Sequence, residues 1–299
     1  MNYTYYPGCS LEGSAKEYDL SVRKMMEALG HTIQELEGWV CCGATAVESV
    51  GYYLSLALPA INLAIAEKKA ESNQKIAEVL APCSACYLNL KKTGEKLGKD
   101  TALLHQINDI IGEKGYIYSG KTKVRHILDV LSRDIGHEAI REKVKTPLEG
   151  FSIAPYYGCQ CLRPYPEFDD PEDPKSMEPI ITALGADVFK WSMGGNCCGA
   201  SNMNTKTEYA ENLVADILKG AQGADAVVTV CPMCQMNLEA YQHAISRKKG
   251  SDLSTTVLYL PQLIGLALGL TEKELGIHLN LSVLPEFTEK FRRTANVFA

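Results

Sequence analysis

Cysteine is the residue type in this 299-residue sequence whose spacing most clearly predicts chemistry. Eleven cysteines occur, and ten of them form two copies of one pattern. Each copy has one cysteine after an aromatic segment and a glycine, then an adjacent pair followed by Gly-Ala, then a Cys-x-x-Cys pair followed two residues later by Asn-Leu. The two sets are Cys9, Cys41, Cys42, Cys83 and Cys86, and Cys159, Cys197, Cys198, Cys231 and Cys234. The offsets of 150, 156 and 148 residues between copies indicate an internal duplication with small changes in loop length.

Five cysteines in each copy predict a metal centre. Thiolates are soft ligands that suit iron-sulfur clusters, zinc or copper(I), and disulfides are rare in a reducing compartment. A single zinc ion and an ordinary cubane cluster each take four ligands, so five cysteines indicate a larger or unusual cluster. Neighbouring side chains in a regular strand point to opposite faces. Both members of an adjacent pair can therefore reach one centre only where the backbone turns, which Gly43 and Gly199 permit.

Alternative roles exist for part of the cysteine set. Cys231 and Cys234 follow an apolar stretch and open a predicted helix, as the dithiol of a thioredoxin-like protein does, but this interpretation leaves the adjacent pairs without a role. A structural or zinc-storing protein is a further alternative. Cys161 has no counterpart in the first copy, and we interpret it as an extra buried or near-site thiol rather than a ligand.

Between the cysteines, short apolar stretches alternate with helical patterns, which predicts an α/β fold of two tandem domains with the cysteines in loops at strand ends. A first helix, capped by Ser14 and with Leu20 among its apolar positions, should end at Gly30. Residues 188–191 should form a strand before the second adjacent pair. Pro and Gly between residues 145 and 150 predict a junction, with domains at 1–147 and 148–299.

Composition excludes several classes of function. The net charge of −6 argues against a general nucleic-acid surface, and no run of about 20 apolar residues predicts a membrane span. The first residues lack the features of a secretory signal, so we expect a cytoplasmic protein. No dinucleotide-binding motif and no ferredoxin-type cysteine run occurs. We therefore expect no flavin or nicotinamide on this chain, and electrons that arrive from another protein.

These motifs resemble the CCG domains of the catalytic B subunit of heterodisulfide reductase from methanogenic archaea, over essentially the whole chain. The motif also occurs in thiol:fumarate reductase, in lactate-utilisation proteins and in iron-sulfur subunits of glycolate oxidase. The resemblance implies two noncubane 4Fe-4S clusters. Their expected ligands are the two five-cysteine sets, and Cys161 is surplus.

The resemblance also implies an activity and a set of partners. The expected reaction is reduction of the mixed disulfide of coenzyme M and coenzyme B to two thiols, by homolytic cleavage between the two clusters. The implied partners are a small subunit with cubane clusters as electron donor, a flavin subunit that bifurcates electrons, and a hydrogenase or formate dehydrogenase further upstream. The alternative is an electron-transfer CCG subunit of a lactate- or glycolate-type oxidoreductase.

Such a substrate would carry sulfonate, carboxylate and phosphate groups, so an acidic protein needs fixed cations at the site. Arg163 is the leading candidate because it lies four residues after Cys159 and a guanidinium can hold such anions through two hydrogen bonds. The alternative is that Arg163 anchors the acidic stretch of residues 164–174.

Overall fold

The computed structural model describes residues 1–44, 46–71 and 77–298. Short strands alternate with helices along the chain, as the sequence predicts. The elements of the first half are β1 (Asn2–Tyr5), α1 (Gly8–Glu12), α2 (Lys16–Ala28), β2 (Thr32–Glu35), α3 (Val47–Val50), α4 (Tyr52–Glu71), β3 (Glu78–Ala81), α5 (Ser84–Lys99), α6 (Thr101–Gly112), β4 (Lys123–His126) and α7 (Ile127–Asp129).

The second half repeats the alternation after a π-helical turn at Val130–Ile135. Short 3-10 turns lie at Ala200–Asn202 and Ile277–Leu279. The elements are α8 (His137–Arg141), β5 (Ser152–Tyr156), α9 (Glu178–Ala183), β6 (Asp187–Val188), α10 (Thr207–Gly220), β7 (Ala226–Thr229), α11 (Pro232–Ala240), α12 (Gln242–Lys249), β8 (Val257–Tyr259), α13 (Leu260–Ala267) and α14 (Pro285–Phe298).

Two four-stranded parallel sheets share one strand order, which confirms the predicted duplication. The orders are β2-β1-β3-β4 and β6-β5-β7-β8, with every pairing parallel. The central strands are apolar on both faces because helices cover a parallel sheet on both sides, and all four residues of β7 are buried. Parallel strands bring their carboxyl ends to one edge, so the segments after β1 and β3, and after β5 and β7, leave each sheet at the same edge.

Two local predictions differ from the structure in detail. The first predicted helix does end before Gly30, but it begins at Lys16 with Ala15 at its N-cap, because the Ala15 carbonyl accepts the first helical hydrogen bonds. Its predicted core residue Leu20 is 40% exposed, and the buried face is formed instead by Tyr18, Val22, Met25, Met26 and Leu29. The predicted strand at 188–191 is limited to β6, since the Trp191 indole N–H donates to the Pro155 carbonyl at 3.1 Å.

The chain packs as two compact units whose limits the repeat pattern did not predict. The boundary predicted between residues 147 and 148 does lie between the last strand of one sheet and the first strand of the other. The first unit, however, contains Met1–Ser14 and His31–Ile127, and the second contains Ala15–Gly30 and Leu128–Ala299. The predicted junction belongs to the second unit, where the Lys145 and Thr146 N–H groups both bond the Ala267 carbonyl at 2.9 Å.

The second unit includes elements from the first half because their apolar faces are buried there. Helix α2 packs against α13, whose eight residues are all buried. Its Tyr18 ring stacks on Tyr259, with ring centroids 4.0 Å apart and planes 3° apart. Helix α8, which also lies before the predicted boundary, packs against α9. Two helices from the first half of the sequence thus complete the core of the second unit.

Candidate metal centres

The ten predicted ligands lie in two groups, one in each unit. In the first unit the Sγ atoms of Cys9 and Cys41 are 3.6 Å apart, and those of Cys42 and Cys86 are 3.4 Å apart. Cys83 lies beside Cys86 in the same group. The structure therefore brings together all five cysteines of the first set, although they span 78 residues of sequence.

The second unit repeats the grouping. The Sγ atoms of Cys198 and Cys234 are 3.6 Å apart, with Cys231 beside Cys234. Cys159 hydrogen-bonds to Cys197. The matching arrangement in both units is what a duplicated ligand site requires.

The Cys-x-x-Cys pairs lie at the starts of helices. Cys83 is the N-cap of α5 and Cys231 is the N-cap of α11, so Cys86 and Cys234 occupy first turns. Unpaired backbone N–H groups give a helix start a partial positive charge, which favours thiolates. The local fold therefore suits anionic sulfur ligands.

Each adjacent cysteine pair lies in a backbone turn at the predicted glycine. Gly43 has φ +72° and Gly199 has φ +76°, a left-handed conformation in which glycine is unstrained. The Gly43 N–H donates to Cys41 Sγ and the Gly199 N–H to Cys197 Sγ, each at 3.4 Å. The prediction that the chain turns at these glycines is confirmed.

Each group has a buried part and an accessible part. The second member of the adjacent pair and both members of the Cys-x-x-Cys pair are buried in each unit. Cys9, Cys41 and Cys197 are exposed, and Cys159 is half-buried. Each site is therefore open to solvent at the single cysteine and the first member of the adjacent pair.

The electrostatics of the groups favour a bound cation. Hydrogen bonds with the neighbouring Cys42 and Cys83 thiols, together with burial, raise the pKa of Cys86 well above its usual value. The pKa of Cys234 is raised in the same way by its neighbouring thiols. In contrast, the pKa of Cys197 is lowered to about 6, chiefly by its hydrogen bond with Cys159. Because one thiolate keeps its neighbours protonated, five thiolates can coexist only where metal charge offsets their repulsion.

Tyrosines before the single cysteines hold the segments that lead into the adjacent pairs. The Tyr6 hydroxyl donates to the Val40 carbonyl at 2.8 Å, and the Tyr156 hydroxyl donates to the Asn196 carbonyl at 2.7 Å. Burial, and then the charge of nearby cysteines, raises the pKa of both phenols. The sequence analysis gave these tyrosines no role, although their recurrence in both copies was the available signal.

Within residues 1–44, 46–71 and 77–298, no group of three or more Cys, His, Asp or Glu side chains is arranged so that it could hold one metal ion. The thiol groups nevertheless fit a cluster in chemistry, since they offer five soft ligands, a buried interior and helix starts. The assignment of the ten cysteines as ligands rests on these features and stays a prediction.

Two further residues singled out from the sequence have defined contacts. Cys161 is buried, and its thiol donates to the Tyr157 carbonyl at 3.3 Å. The Arg163 guanidinium bonds the Gly195 carbonyl and, at 3.3 Å, the Glu172 carboxylate in the acidic stretch. Its side chain stays 40% exposed. These contacts of Arg163 are those that the anchoring alternative requires.

The fold and the sites define a duplicated α/β protein with a cysteine-rich loop cluster at one edge of each sheet. The family model described as "Cysteine-rich domain", CCG, matches residues 3–91 and again residues 153–239. The chain belongs to this family, and the resemblance and fold class predicted from the sequence are confirmed.

Relatives align over nearly the full length of the chain. It is 36% identical to the 8-methylmenaquinol:fumarate reductase membrane anchor subunit of Wolinella succinogenes, over 93% of this chain and 96% of that protein. It is 30% identical to an Archaeoglobus profundus protein named as like the B subunit of heterodisulfide reductase, over 93% and 94%. It is 29% identical to the B subunit of the ferredoxin:CoB-CoM heterodisulfide reductase of Methanosarcina mazei, over 95% and 94%.

One solved structure shares the fold. It is the crystal structure of a hypothetical protein from Helicobacter pylori, with a TM-score of 0.73 and 15% identity over 95% of this chain. This chain spans about half of that protein, 52% of its length. In the part of the chain that the structure describes, no helix combines the length and apolar character needed to cross a bilayer.

Proposed function

We propose that this chain is an iron-sulfur subunit of a multi-subunit oxidoreductase, with one cluster in each unit. The observation that carries the proposal is the repeated group of five thiols, three of them buried, at the helix-start edge of each sheet. The cluster ligands would be the two cysteine sets of the sequence analysis, in 4Fe-4S clusters of the noncubane type.

Each residue class has its own part in this proposal. The buried cysteines would hold the cluster away from water, and the glycine turns would let both members of the adjacent pair face it. The exposed cysteines would form the side through which electrons pass to a partner or substrate. When bound, such clusters supply one-electron transfer.

As the reaction, we propose reduction of the coenzyme M–coenzyme B disulfide to two thiols. The relatives of Archaeoglobus profundus and Methanosarcina mazei, which carry heterodisulfide reductase in their names, support this reaction. Breaking a disulfide consumes two electrons and two protons, and a chain with two one-electron centres matches that requirement. The electrons would come from a cubane-cluster subunit and a flavin subunit of the same complex.

A second candidate follows from the Wolinella succinogenes relative, which is named as a subunit of a quinol:fumarate reductase. In that case the chain would pass electrons between a quinol and its partner subunits without binding a disulfide. The identity of 36%, against 30% and 29% for the heterodisulfide reductase relatives, is the observation that favours it.

Anaerobically purified protein separates these proposals. Iron and acid-labile sulfide in both units test cluster binding, and their absence from correctly folded protein would contradict it. Viologen-driven reduction of the coenzyme heterodisulfide would support the first reaction. Cluster oxidation by a menaquinone analogue without disulfide turnover would support the second. Cell fractionation tests the predicted cytoplasmic location at the same time, since the second candidate expects recovery with the membrane.

For the disulfide reaction we also propose Arg163 as the contact for an anionic substrate group. The Arg163 N–H bonds the Cys159 carbonyl at 2.9 Å, which places its backbone directly beside a predicted ligand. Its partner Glu172 is 79% exposed, and an exposed pair of this kind contributes at most about 1 kcal/mol. An incoming sulfonate or phosphate can therefore replace Glu172 at small cost. Arg163→Met should raise the KM for the heterodisulfide with iron content unchanged, and an equal KM in both proteins would leave Arg163 as an anchor of the acidic stretch.

A further inference from the structure

An asparagine follows the Cys-x-x-Cys pair by three residues in each half, and both asparagines make the same contact. The Asn89 side-chain amide donates to the Cys42 carbonyl. The Asn237 side-chain amide donates to the Cys198 carbonyl at 2.6 Å. Asn237 is buried, and Asn89 is half-buried. The acceptor is thus the second member of the adjacent cysteine pair in both units.

The peptide group that accepts this hydrogen bond also donates to a predicted ligand. The carbonyl of Cys42 and the N–H of Gly43 belong to one peptide group, and that N–H donates to Cys41 Sγ at 3.4 Å. The carbonyl of Cys198 and the N–H of Gly199 are related in the same way, with Cys197 Sγ as the acceptor at 3.4 Å. In a planar trans peptide the carbonyl and the N–H point in opposite directions. The asparagine therefore holds one side of the peptide while the other side faces the sulfur.

The glycine in each turn makes this contact necessary. Glycine populates positive and negative φ about equally, so the peptide before Gly43 or Gly199 can rotate at little cost. The rotated peptide would present a carbonyl oxygen, instead of an N–H, to the thiolate. A hydrogen bond to the carbonyl selects the orientation with the N–H toward sulfur. Hydrogen bonds to cluster sulfurs help to set the reduction potential, because they stabilise the more negative, reduced state.

We propose that Asn89 and Asn237 are positioning residues that orient the peptide of the adjacent cysteine pair and thereby raise the reduction potential of the cluster in their own unit. The inference rests on the proposed function, since it requires a cluster on each five-cysteine set. It adds a residue in each half that contacts no metal and acts through the backbone of the ligand turn.

The test compares Asn89→Leu and Asn237→Leu with the parent protein. Leucine keeps the branched shape of asparagine and removes its amide donor. Asn108→Leu is a matched control in the first unit, because Asn108 also bonds backbone groups, the N–H and carbonyl of Tyr118, each at 2.9 Å, but not those of a cysteine turn. The measurements are iron content, circular dichroism, and a redox titration followed by electron paramagnetic resonance.

Each asparagine variant should shift the potential of half of the cluster signal to a more negative value, while Asn108→Leu leaves both halves unchanged. Loss of one cluster with the fold and the other cluster retained would also support positioning. Unchanged potentials in both loaded variants would overturn the inference. If Asn89→Leu fails to fold, Asn89→Ser replaces it, because a serine hydroxyl is too short to reach the carbonyl. A parent protein that binds no iron contradicts the proposed function itself, which keeps the two failures distinct.

Discussion

The Tyr18 hydroxyl donates a hydrogen bond to the backbone carbonyl of Val230 at 3.1 Å, across 212 residues of sequence. Both residues belong to the second unit, although Tyr18 comes from the first sequence repeat. The peptide group that contains this carbonyl also contains the N–H of Cys231. A side chain of α2 therefore helps to place a predicted ligand of the second cluster.

Tyr18→Phe should remove this hydrogen bond while keeping the ring that stacks on Tyr259. We expect a loss of about 1 kcal/mol in the free energy of unfolding, since a neutral buried hydrogen bond contributes about that much. The cluster of the second unit should become easier to extract with a chelator, and the cluster of the first unit should not. Equal extraction rates for both clusters in the variant would contradict this role.

Cys42→Ala and Cys198→Ala should each abolish one cluster and leave the other loaded. Each of these thiols is buried and 3.4 or 3.6 Å from a cysteine of the Cys-x-x-Cys pair, so its loss removes an interior ligand. Iron per chain should fall to about half in each variant, as expected for two independent clusters. Cys161→Ser is the control, because serine can keep the hydrogen bond to the Tyr157 carbonyl and iron should be unchanged. Loss of half the iron in that control would make Cys161 a ligand.

Gly8→Ala should displace Cys86 from the first site. A methyl group added at Gly8 would lie 2.8 Å from Cys86 Sγ, which is closer than real contacts allow. Gly38→Ala is a matched control, because Gly38 has φ +76° against +72° for Gly8 but has nothing within 4 Å of the added methyl group. Both variants should lose about 1 kcal/mol of stability from left-handed backbone strain. Iron should fall in Gly8→Ala alone, and an equal fall in both would show that strain rather than contact is responsible.

Glu239 should make the second unit less stable at high pH. Burial raises the pKa of this carboxyl from 4.5 to about 7, against the lowering effect of its hydrogen bonds. Because the folded state binds the proton more tightly than the unfolded state, the stabilisation is present below pH 4.5 and is lost as the pH rises through 7. The full loss is about 3 kcal/mol.

Glu239→Gln, which stays neutral, should remove this pH dependence. Denaturant unfolding at about pH 5 and about pH 8, either side of the raised pKa, compares the variant with the parent protein while iron content is followed in parallel. The exposed Glu286 in the same unit supplies the control substitution Glu286→Gln. A parent protein as stable relative to Glu239→Gln at the higher pH as at the lower would refute the argument.

The sequence predicts the sites well because ligand chemistry and spacing are recorded residue by residue. A repeat of ten cysteines, with glycines placed to turn the chain, needs no knowledge of packing to be recognised. The roles of Asn89, Tyr6 and Tyr18 could not be predicted with the same reasoning, since each depends on a backbone carbonyl that only the fold brings within reach. The α2 helix shows the limit most clearly. Its helical periodicity predicts an apolar face, but periodicity does not specify α13 as the partner, and it placed the exposed Leu20 in the core.

The packing of α2 and α8 in the second unit has a consequence for how such a protein can be divided. A fragment cut at the sequence repeat, residues 148–299, would lack both helices and would leave the faces of α13 and α9 uncovered. The complementary fragment, residues 1–147, would expose the apolar face of α2 to water. The two copies are therefore inherited as one indivisible pair, and a gene that lost either copy would not return to a working ancestral half.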